Sequence, residues 1–173
     1  MRVISDPNVL RQFERRTATV FSLLQNVVSA VGPLNANKLQ DIVNELTIDR
    51  FNLAKELLAS AQAQDVSRQE GQKNAISRGY YAMYHAGRTV IFHYERADVD
   101  SHEDIPKRLP PSLPNQTHWV NRLIEWRKRR NQVDYSPYPE GNLHALAQQV
   151  ILEAQDFIKF CAQFLRGRGV SHV

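Results

Sequence analysis

The sequence predicts an all-α protein in which an N-terminal helical arm precedes a core of four helices. Two observations support this fold class. The seven glycines and eight prolines gather at a few positions and divide the chain into long segments. Within those segments the apolar residues recur at intervals of three and four, the spacing of one helix face, and not at the interval of two that marks a strand.

The arm is predicted from a helix over residues 7–31. Asp6 suits the N-cap position and Pro7 the first helical position. An apolar seam with heptad spacing follows, interrupted by one polar residue, and consists of Leu10, Phe13, Thr17, Val20, Leu24, Val27 and Val31. This seam either packs within the chain or pairs with a second copy. We therefore assign residues 1–45 to an N-terminal extension, a candidate dimerisation arm, and residues 46–173 to a helical bundle domain.

Four further helices are predicted after the Gly32-Pro33 break. They cover residues 37–64, 69–96, 116–134 and 140–165. Thr47 is a candidate cap for a restart within the first of them. Residues 97–115 are predicted to form a long loop stiffened by four prolines, and Gly167 is a plausible C-terminal cap for the last helix.

Composition excludes several classes of protein. The formal charge is +4, from 22 basic and 18 acidic residues among 173, a mild excess that is compatible with a nucleic-acid partner. The single cysteine, Cys161, excludes an internal disulfide and a tetrathiolate zinc site. No apolar run approaches the roughly 20 residues that cross a bilayer, and no signal-peptide core follows Met1. We expect a cytoplasmic protein that does not associate with membranes.

The first chemically informative segment is residues 77–88. Its polar side chains fall on adjoining faces of a predicted helix and comprise Ser77, Tyr80, Tyr81, Tyr84, His85 and Arg88. Small residues, Gly79 and Gly87 among them, indicate that another helix approaches closely. Two interpretations stay open: a tightly packed core helix whose tyrosines and His85 find core partners, or one wall of a binding site.

The second informative segment is residues 126–135. The apolar stripe through Trp119, Leu123 and Trp126 continues at helical spacing onto Arg130. A buried guanidinium requires a partner, which is Asp134 at i+4, a phosphate or a second subunit. The neighbouring basic residues Arg127, Lys128 and Arg129 are interpreted as a solvated face or, alternatively, as part of a nucleic-acid contact.

These two segments together resemble the HEPN superfamily. The sequence SRGYYAMYHA at residues 77–86 and RNQVDY at residues 130–135 are similar to the SRxYYAMFHA helix and RNxxDY motif of small bacterial and archaeal HEPN proteins. His102, in the intervening loop, also fits, and the resemblance covers about residues 47–165. It implies an up-and-down four-helix bundle that forms a homodimer, with the polar motif lining a cleft between the chains.

The resemblance also implies roles for individual residues. Many HEPN proteins are metal-independent ribonucleases that use an arginine, a polar residue after it, and a histidine four to six positions on. Arg130 and Asn131 match, whereas Tyr135, with a reference pKa near 10, stands where the histidine is expected. The candidate catalytic residues are therefore Arg130, Asn131 and Tyr135. The candidate substrate-binding residues are Arg127, Asp134, Tyr81, His85, Arg88 and His102.

No sequence signature calls for a metal or an organic cofactor, because phosphate-loop and zinc-site spacings are missing from the sequence. We expect an RNA- or nucleotide-binding component of a toxin–antitoxin or defence-type system, partnered with a minimal nucleotidyltransferase or an antitoxin protein. In such a pair Tyr135 or Tyr138 is the candidate acceptor for nucleotide addition. The alternatives are a metal-independent endoribonuclease and a non-catalytic dimeric scaffold. We further predict that Arg130 and Tyr135 face a cleft shared with Tyr81 or His85.

Overall fold

The computed structural model describes residues 33–173, with the exception of the side chains of residues 33–36 and 38. The predicted arm helix over residues 7–31 and its apolar seam lie outside this range. The described residues form five helices and no strand, which confirms the all-α class for this part of the chain. The helices are α1 (Pro33–Gln62), α2 (Gln69–Glu95), α3 (Asp104–Arg108), α4 (Gln116–Tyr135) and α5 (Leu143–Arg166).

Helix α1 differs from the sequence-based prediction at Thr47. No restart occurs there, because the Thr47 hydroxyl donates to the carbonyl of Val43 at 2.7 Å within an unbroken helix. Threonine satisfies its hydroxyl in this way when it lies in a helix interior, and a cap is then unnecessary. The helix also runs without interruption through residue 45, so both sides of the predicted boundary between arm and bundle belong to one element.

The predicted loop over residues 97–115 contains a short helix, α3, which was not predicted because prolines are typical of loops. Pro106 is the third residue of α3, where its missing N–H removes no helical hydrogen bond. Ile105 and Pro106 are buried, so α3 fixes the loop to the core. Helix α5 begins at Leu143, three residues later than predicted, because the Asn142 side chain accepts a hydrogen bond from the Ala145 N–H at 3.1 Å.

Helix α2 is the central element of the described fold and contacts α1, α4 and α5. Its small residues permit the close approach that the sequence predicts. A Cβ atom at Gly79 would lie 2.8 Å from Cγ2 of Val150 on α5, and one at Gly87 would lie 3.1 Å from Ile105 on α3. The largest fully buried side chains include Trp126, Tyr80, Phe51, Phe92 and Phe157. The core therefore holds α2 and α4 side by side, which positions the site described next.

Between residues 33 and 173, no helix combines the length and the apolar character that crossing a membrane requires. Cys161 is fully buried on α5, and burial raises the pKa of its thiol well above the usual range.

Candidate functional site

The two motif segments meet between α2 and α4. An Nη2 hydrogen of Arg130 is donated to the Tyr81 hydroxyl, across 49 positions of sequence. The Arg130 guanidinium carbon also lies 4.9 Å from the centre of the Tyr81 ring, which is a cation–π distance. The helix packing therefore places the arginine of RNQVDY against the second tyrosine of SRGYYAMYHA.

The remaining polar contacts of Arg130 are local. Its Nε lies 2.7 Å from Oδ2 of Asp134, so the predicted i,i+4 ion pair is present, although the N–H does not point at that oxygen as a hydrogen bond requires. Its Nη1 donates to Oδ1 of Asn131 at 3.1 Å. Asp134 also accepts a hydrogen bond from the Ser77 hydroxyl at 3.3 Å. The Arg130 side chain, 15 % exposed, is thus held in place by both motif segments.

Tyr135 is the second aromatic residue beside Arg130. The centre of its ring lies 5.3 Å from the Arg130 guanidinium carbon, yet the residue is 75 % exposed. Arg130 consequently contacts one half-buried tyrosine, Tyr81, and one tyrosine at the surface. The predicted sharing of space between Arg130 and Tyr81 is observed, whereas Tyr135 lies at the surface and not inside a cleft of this chain. The His85 ring packs edge-on against Tyr84, at 5.0 Å between ring centres.

His102, in the loop before α3, lies against the tyrosines of α2, one of which is Tyr81. The His102 ring stacks on Tyr84 at 4.1 Å and on Tyr80 at 5.6 Å, and it meets Tyr81 edge-on at 5.8 Å between ring centres. Nδ1 of His102 lies 2.7 Å from the Tyr80 hydroxyl, and the Tyr84 hydroxyl donates to the carbonyl of Asp100 at 2.7 Å. Three tyrosines of α2 therefore fix the loop and its histidine.

The electrostatic environment of His102 favours its neutral form. Burial lowers the pKa of its imidazole, and the positive charges of Arg130, Arg127 and Arg88 lower the pKa further. Burial also raises the pKa of Tyr80 above its usual range, despite the opposing charge of Arg127. A neutral imidazole is the form that accepts a proton, and the lowered pKa makes His102 a weaker base than a free histidine.

Arg127 and Arg129 lie at the surface of α4, each 33 % exposed, and each is paired with a carboxylate. The ion pairs are Arg127–Glu103 at 2.6 Å and Arg129–Glu125 at 3.8 Å, in addition to Arg130–Asp134. Within residues 33–173, only Lys128 of the basic run shows no ion pair. The run therefore does not form a free stripe of positive charge.

A surface groove of about 390 Å³ lies on α4, on the side of the helix opposite Arg130. It is lined by Asn121, Ile124, Glu125, Lys128, Arg129 and Gln132. Because none of the candidate site residues lines this groove, it is separate from the arrangement around Arg130.

Arg88, a candidate substrate-binding residue, is engaged by a carboxylate instead. Its Nε and Nη2 donate to Oδ1 and Oδ2 of Asp98 at 2.8 Å and 2.5 Å. Arg50 donates to the same Asp98 Oδ1 at 2.8 Å. This bidentate pairing places Arg88 in a network that ties the loop after α2 to α1 and α2.

Sequence reasoning missed two acidic residues that define these surroundings, Asp98 and Glu103. Both lie in the loop between α2 and α4, and both pair with arginines on helices. No periodic signal identifies a loop carboxylate as a partner of a distant arginine. Across the described residues, no three His, Cys, Asp or Glu side chains come together in a group that could hold a metal ion.

No family model, no curated protein and no solved structure matches this chain. The resemblance to HEPN proteins accordingly rests on the two motifs at residues 77–86 and 130–135, which lie side by side in an all-helical fold.

Proposed function

We propose that this chain binds RNA or a nucleotide at Arg130, as a component of a toxin–antitoxin or defence-type system. The observation that carries the proposal is the contact of the Arg130 guanidinium with both Tyr81 and the exposed ring of Tyr135. A guanidinium binds phosphate oxygens through paired N–H donors. An exposed aromatic ring beside it offers a surface on which a base stacks, and single-stranded nucleic acid is commonly bound by this combination.

The polar contacts of Arg130 are compatible with exchange for a phosphate. Asn131 and Tyr81 each occupy one terminal nitrogen of the guanidinium through neutral groups, and the Asp134 carboxylate lies beside Nε. A charged phosphate oxygen is a stronger acceptor than a neutral amide or hydroxyl oxygen. A phosphate that approaches from the Tyr135 side therefore gains more from the guanidinium than these neutral partners lose.

A nucleotidyltransferase partner, implied by the HEPN resemblance, remains part of the proposal. Tyr138 is 87 % exposed, and its hydroxyl, like that of Tyr135, is accessible to a second protein. In nucleotide addition the tyrosine oxygen attacks the α-phosphorus of a nucleoside triphosphate, loses its proton, and displaces pyrophosphate. The exposure of the two tyrosines supports this pairing, and the homodimer belongs to the same proposal.

A metal-independent ribonuclease is the alternative that one specific observation favours. His102 packs against the Tyr81 ring, which also contacts Arg130. In the reaction the 2′-hydroxyl oxygen attacks the adjacent phosphorus while His102 accepts the hydroxyl proton. The bond from phosphorus to the 5′-oxygen breaks, and that oxygen takes a proton from water. The products are a 2′,3′-cyclic phosphate and a 5′-hydroxyl end.

The first experiment compares RNA binding by the wild type, Arg130→Ala and Arg129→Ala, with a short single-stranded oligouridylate as the probe. Arg129 is the matched control, because it lies on the same helix and its loss removes the same charge. We expect Arg130→Ala to weaken binding by about tenfold, since a charge-assisted contact is lost, and Arg129→Ala to change it less than about twofold. Fluorescence anisotropy measures both.

Three other outcomes are informative in the same experiment. Equal losses in the two variants would show that binding is merely electrostatic and would reject the assignment to Arg130. Cleavage of mixed cellular RNA in chelator by the wild type, abolished in Arg130→Ala, would favour the ribonuclease. Loss of a dimer in Arg130→Ala, with no RNA bound by the wild type, would favour a scaffold in which Arg130, Asp134 and Tyr135 stabilise a subunit interface.

A further inference from the structure

A second arginine, Arg127, lies beside Arg130 and is paired with the carboxylate of Glu103, a loop residue. Arg127 precedes Arg130 by three residues on α4, so the two side chains project from the same face. Nη2 of Arg127 donates to Oε1 of Glu103 at 2.6 Å. Glu103 directly follows His102, the residue that the tyrosines of α2 hold in place. The loop thus brings a negative charge to the edge of the proposed RNA site.

Electrostatics place Arg127 in the same neighbourhood as Arg130. The positive charges of both arginines lower the pKa of His102 and oppose the rise in the pKa of Tyr80. Two guanidiniums one helical turn apart therefore act on one pair of aromatic groups. A ligand with a single phosphate needs one of them, whereas a chain with successive phosphates has a use for both.

The Arg127–Glu103 pair is suited to exchange. Glu103 is 64 % exposed and reaches Arg127 from a different element, so its departure disturbs no helix. Exposed ion pairs are weak because water screens the charges and because long side chains lose conformational freedom. Asp134, by contrast, lies on the same helix as Arg130 and stays near it in any event.

We propose that Glu103 is a competing carboxylate, which neutralises Arg127 in the free protein and is displaced by a phosphate of single-stranded RNA. Arg127 and Arg130 then hold two phosphates of one strand. This inference rests on the proposed function, since it concerns the same site. Glu103 then limits the affinity for short or singly phosphorylated ligands, because such ligands gain too little binding free energy to displace its carboxylate from Arg127.

The test compares Glu103→Gln with Asp104→Asn, using the same oligouridylate. Both changes are isosteric and remove one negative charge from adjacent positions at the start of α3. Asp104 pairs with Lys107 at 3.2 Å and not with Arg127, so it controls for long-range charge effects. We expect Glu103→Gln to tighten binding about two- to fivefold more than Asp104→Asn does, the range that corresponds to an exposed ion pair. In an Arg127→Ala background the gain from Glu103→Gln should vanish.

Salt dependence gives an independent measurement of the second phosphate contact. The slope of log affinity against log salt should be shallower by about 0.7 in Arg127→Ala, because one single-strand phosphate contact is lost. An unchanged slope, or equal affinities of Glu103→Gln and Asp104→Asn, would overturn the inference. If the wild type binds and Arg130→Ala does not, such a result rejects the role of Glu103 alone. If the wild type does not bind at all, the proposed function fails first.

Discussion

Two arginine clusters meet α2, and they differ in where their partners lie. In the first, Asp98 accepts hydrogen bonds from Arg50, Arg88 and the backbone N–H of Val99 at 2.8 Å or less. Arg50 is 8 % exposed, and its guanidinium lies 4.5 Å from the centre of the Phe92 ring. Burial alone would raise the pKa of Asp98, but the hydrogen bonds from Arg88 and Arg50 outweigh it and hold the pKa well below the usual range.

In the second cluster Arg130 has a carboxylate on its own helix and an aromatic partner at the surface. Asp134 is the charged partner, and Tyr135 leaves most of its ring to solvent. The side chains are chemically similar to those of the first cluster. An arginine is a candidate for recognition when a partner is exposed and exchangeable, as Tyr135 is for Arg130, and a structural element when a shared, half-buried carboxylate fixes it, as Asp98 does for Arg50 and Arg88.

Removing the shared carboxylate of the first cluster should cause the largest loss of stability. Asp98→Ala leaves two guanidiniums without their shared carboxylate, and we expect the free energy of unfolding to fall by about 3–5 kcal/mol. Urea denaturation followed by circular dichroism measures the change. Asp134→Ala is the matched variant in the second cluster, and we expect it to cost less than about 1 kcal/mol because that pair lies within one helix and Arg130 keeps its contacts with Tyr81 and Asn131. Equal losses in the two variants would remove the distinction between the clusters.

The next effect is a pH dependence at the buried end of α2. His93 is 4 % exposed, and burial, with Arg96 and Arg168, lowers its pKa to about 4. Burial, with Arg88 and Arg50, also lowers the pKa of His85 to about 4. The unfolded chain, with histidine pKa values near 6.5, binds these protons first, so stability is full above pH 6.5 and falls towards pH 4.

We expect His93 to contribute on the order of 2 kcal/mol to this fall. His93→Gln should therefore flatten the dependence of the free energy of unfolding on pH between 6.5 and 4, as measured by urea denaturation at a series of pH values. His118→Gln, at an exposed position on α4, is the control and should leave the slope unchanged. A slope that is identical in the wild type and His93→Gln would show that His93 has the same pKa in the folded and unfolded states.

Removing the Tyr135 ring from the second cluster should have the smallest effect on stability. Tyr135→Ala should change stability by less than about 0.5 kcal/mol, because the ring is exposed. It should weaken binding of the oligouridylate at least about fivefold, since one stacked base is lost. Tyr135→Phe keeps the ring and should bind as the wild type does. If Phe and Ala variants lose equally, the hydroxyl and not the ring is responsible, and base stacking is rejected.

The long helices, the ion pair within α4 and the close packing of α2 depend on local spacing, so they are predictable from the amino-acid sequence. Apolar residues at intervals of three and four gave the four long helices of the described part, and α2 and α4 end within one residue of their predicted limits. The ion pair of Arg130 with Asp134 was predictable because residues four apart on a helix are neighbours. The small residues of α2 likewise predicted close helix packing, which Gly79 shows against Val150.

Which distant residues share the site depends on the tertiary packing and does not follow from local spacing in the sequence. The contact of Tyr81 with Arg130 depends on how α2 and α4 pack, and the positions of Asp98, His102 and Glu103 depend on the path of one loop. Loop side chains follow no periodic pattern, because their backbone is not repetitive. Their partners are set by the burial of Ile105 and Leu109 and by the tyrosines that bind the loop, which are contacts between residues far apart in sequence.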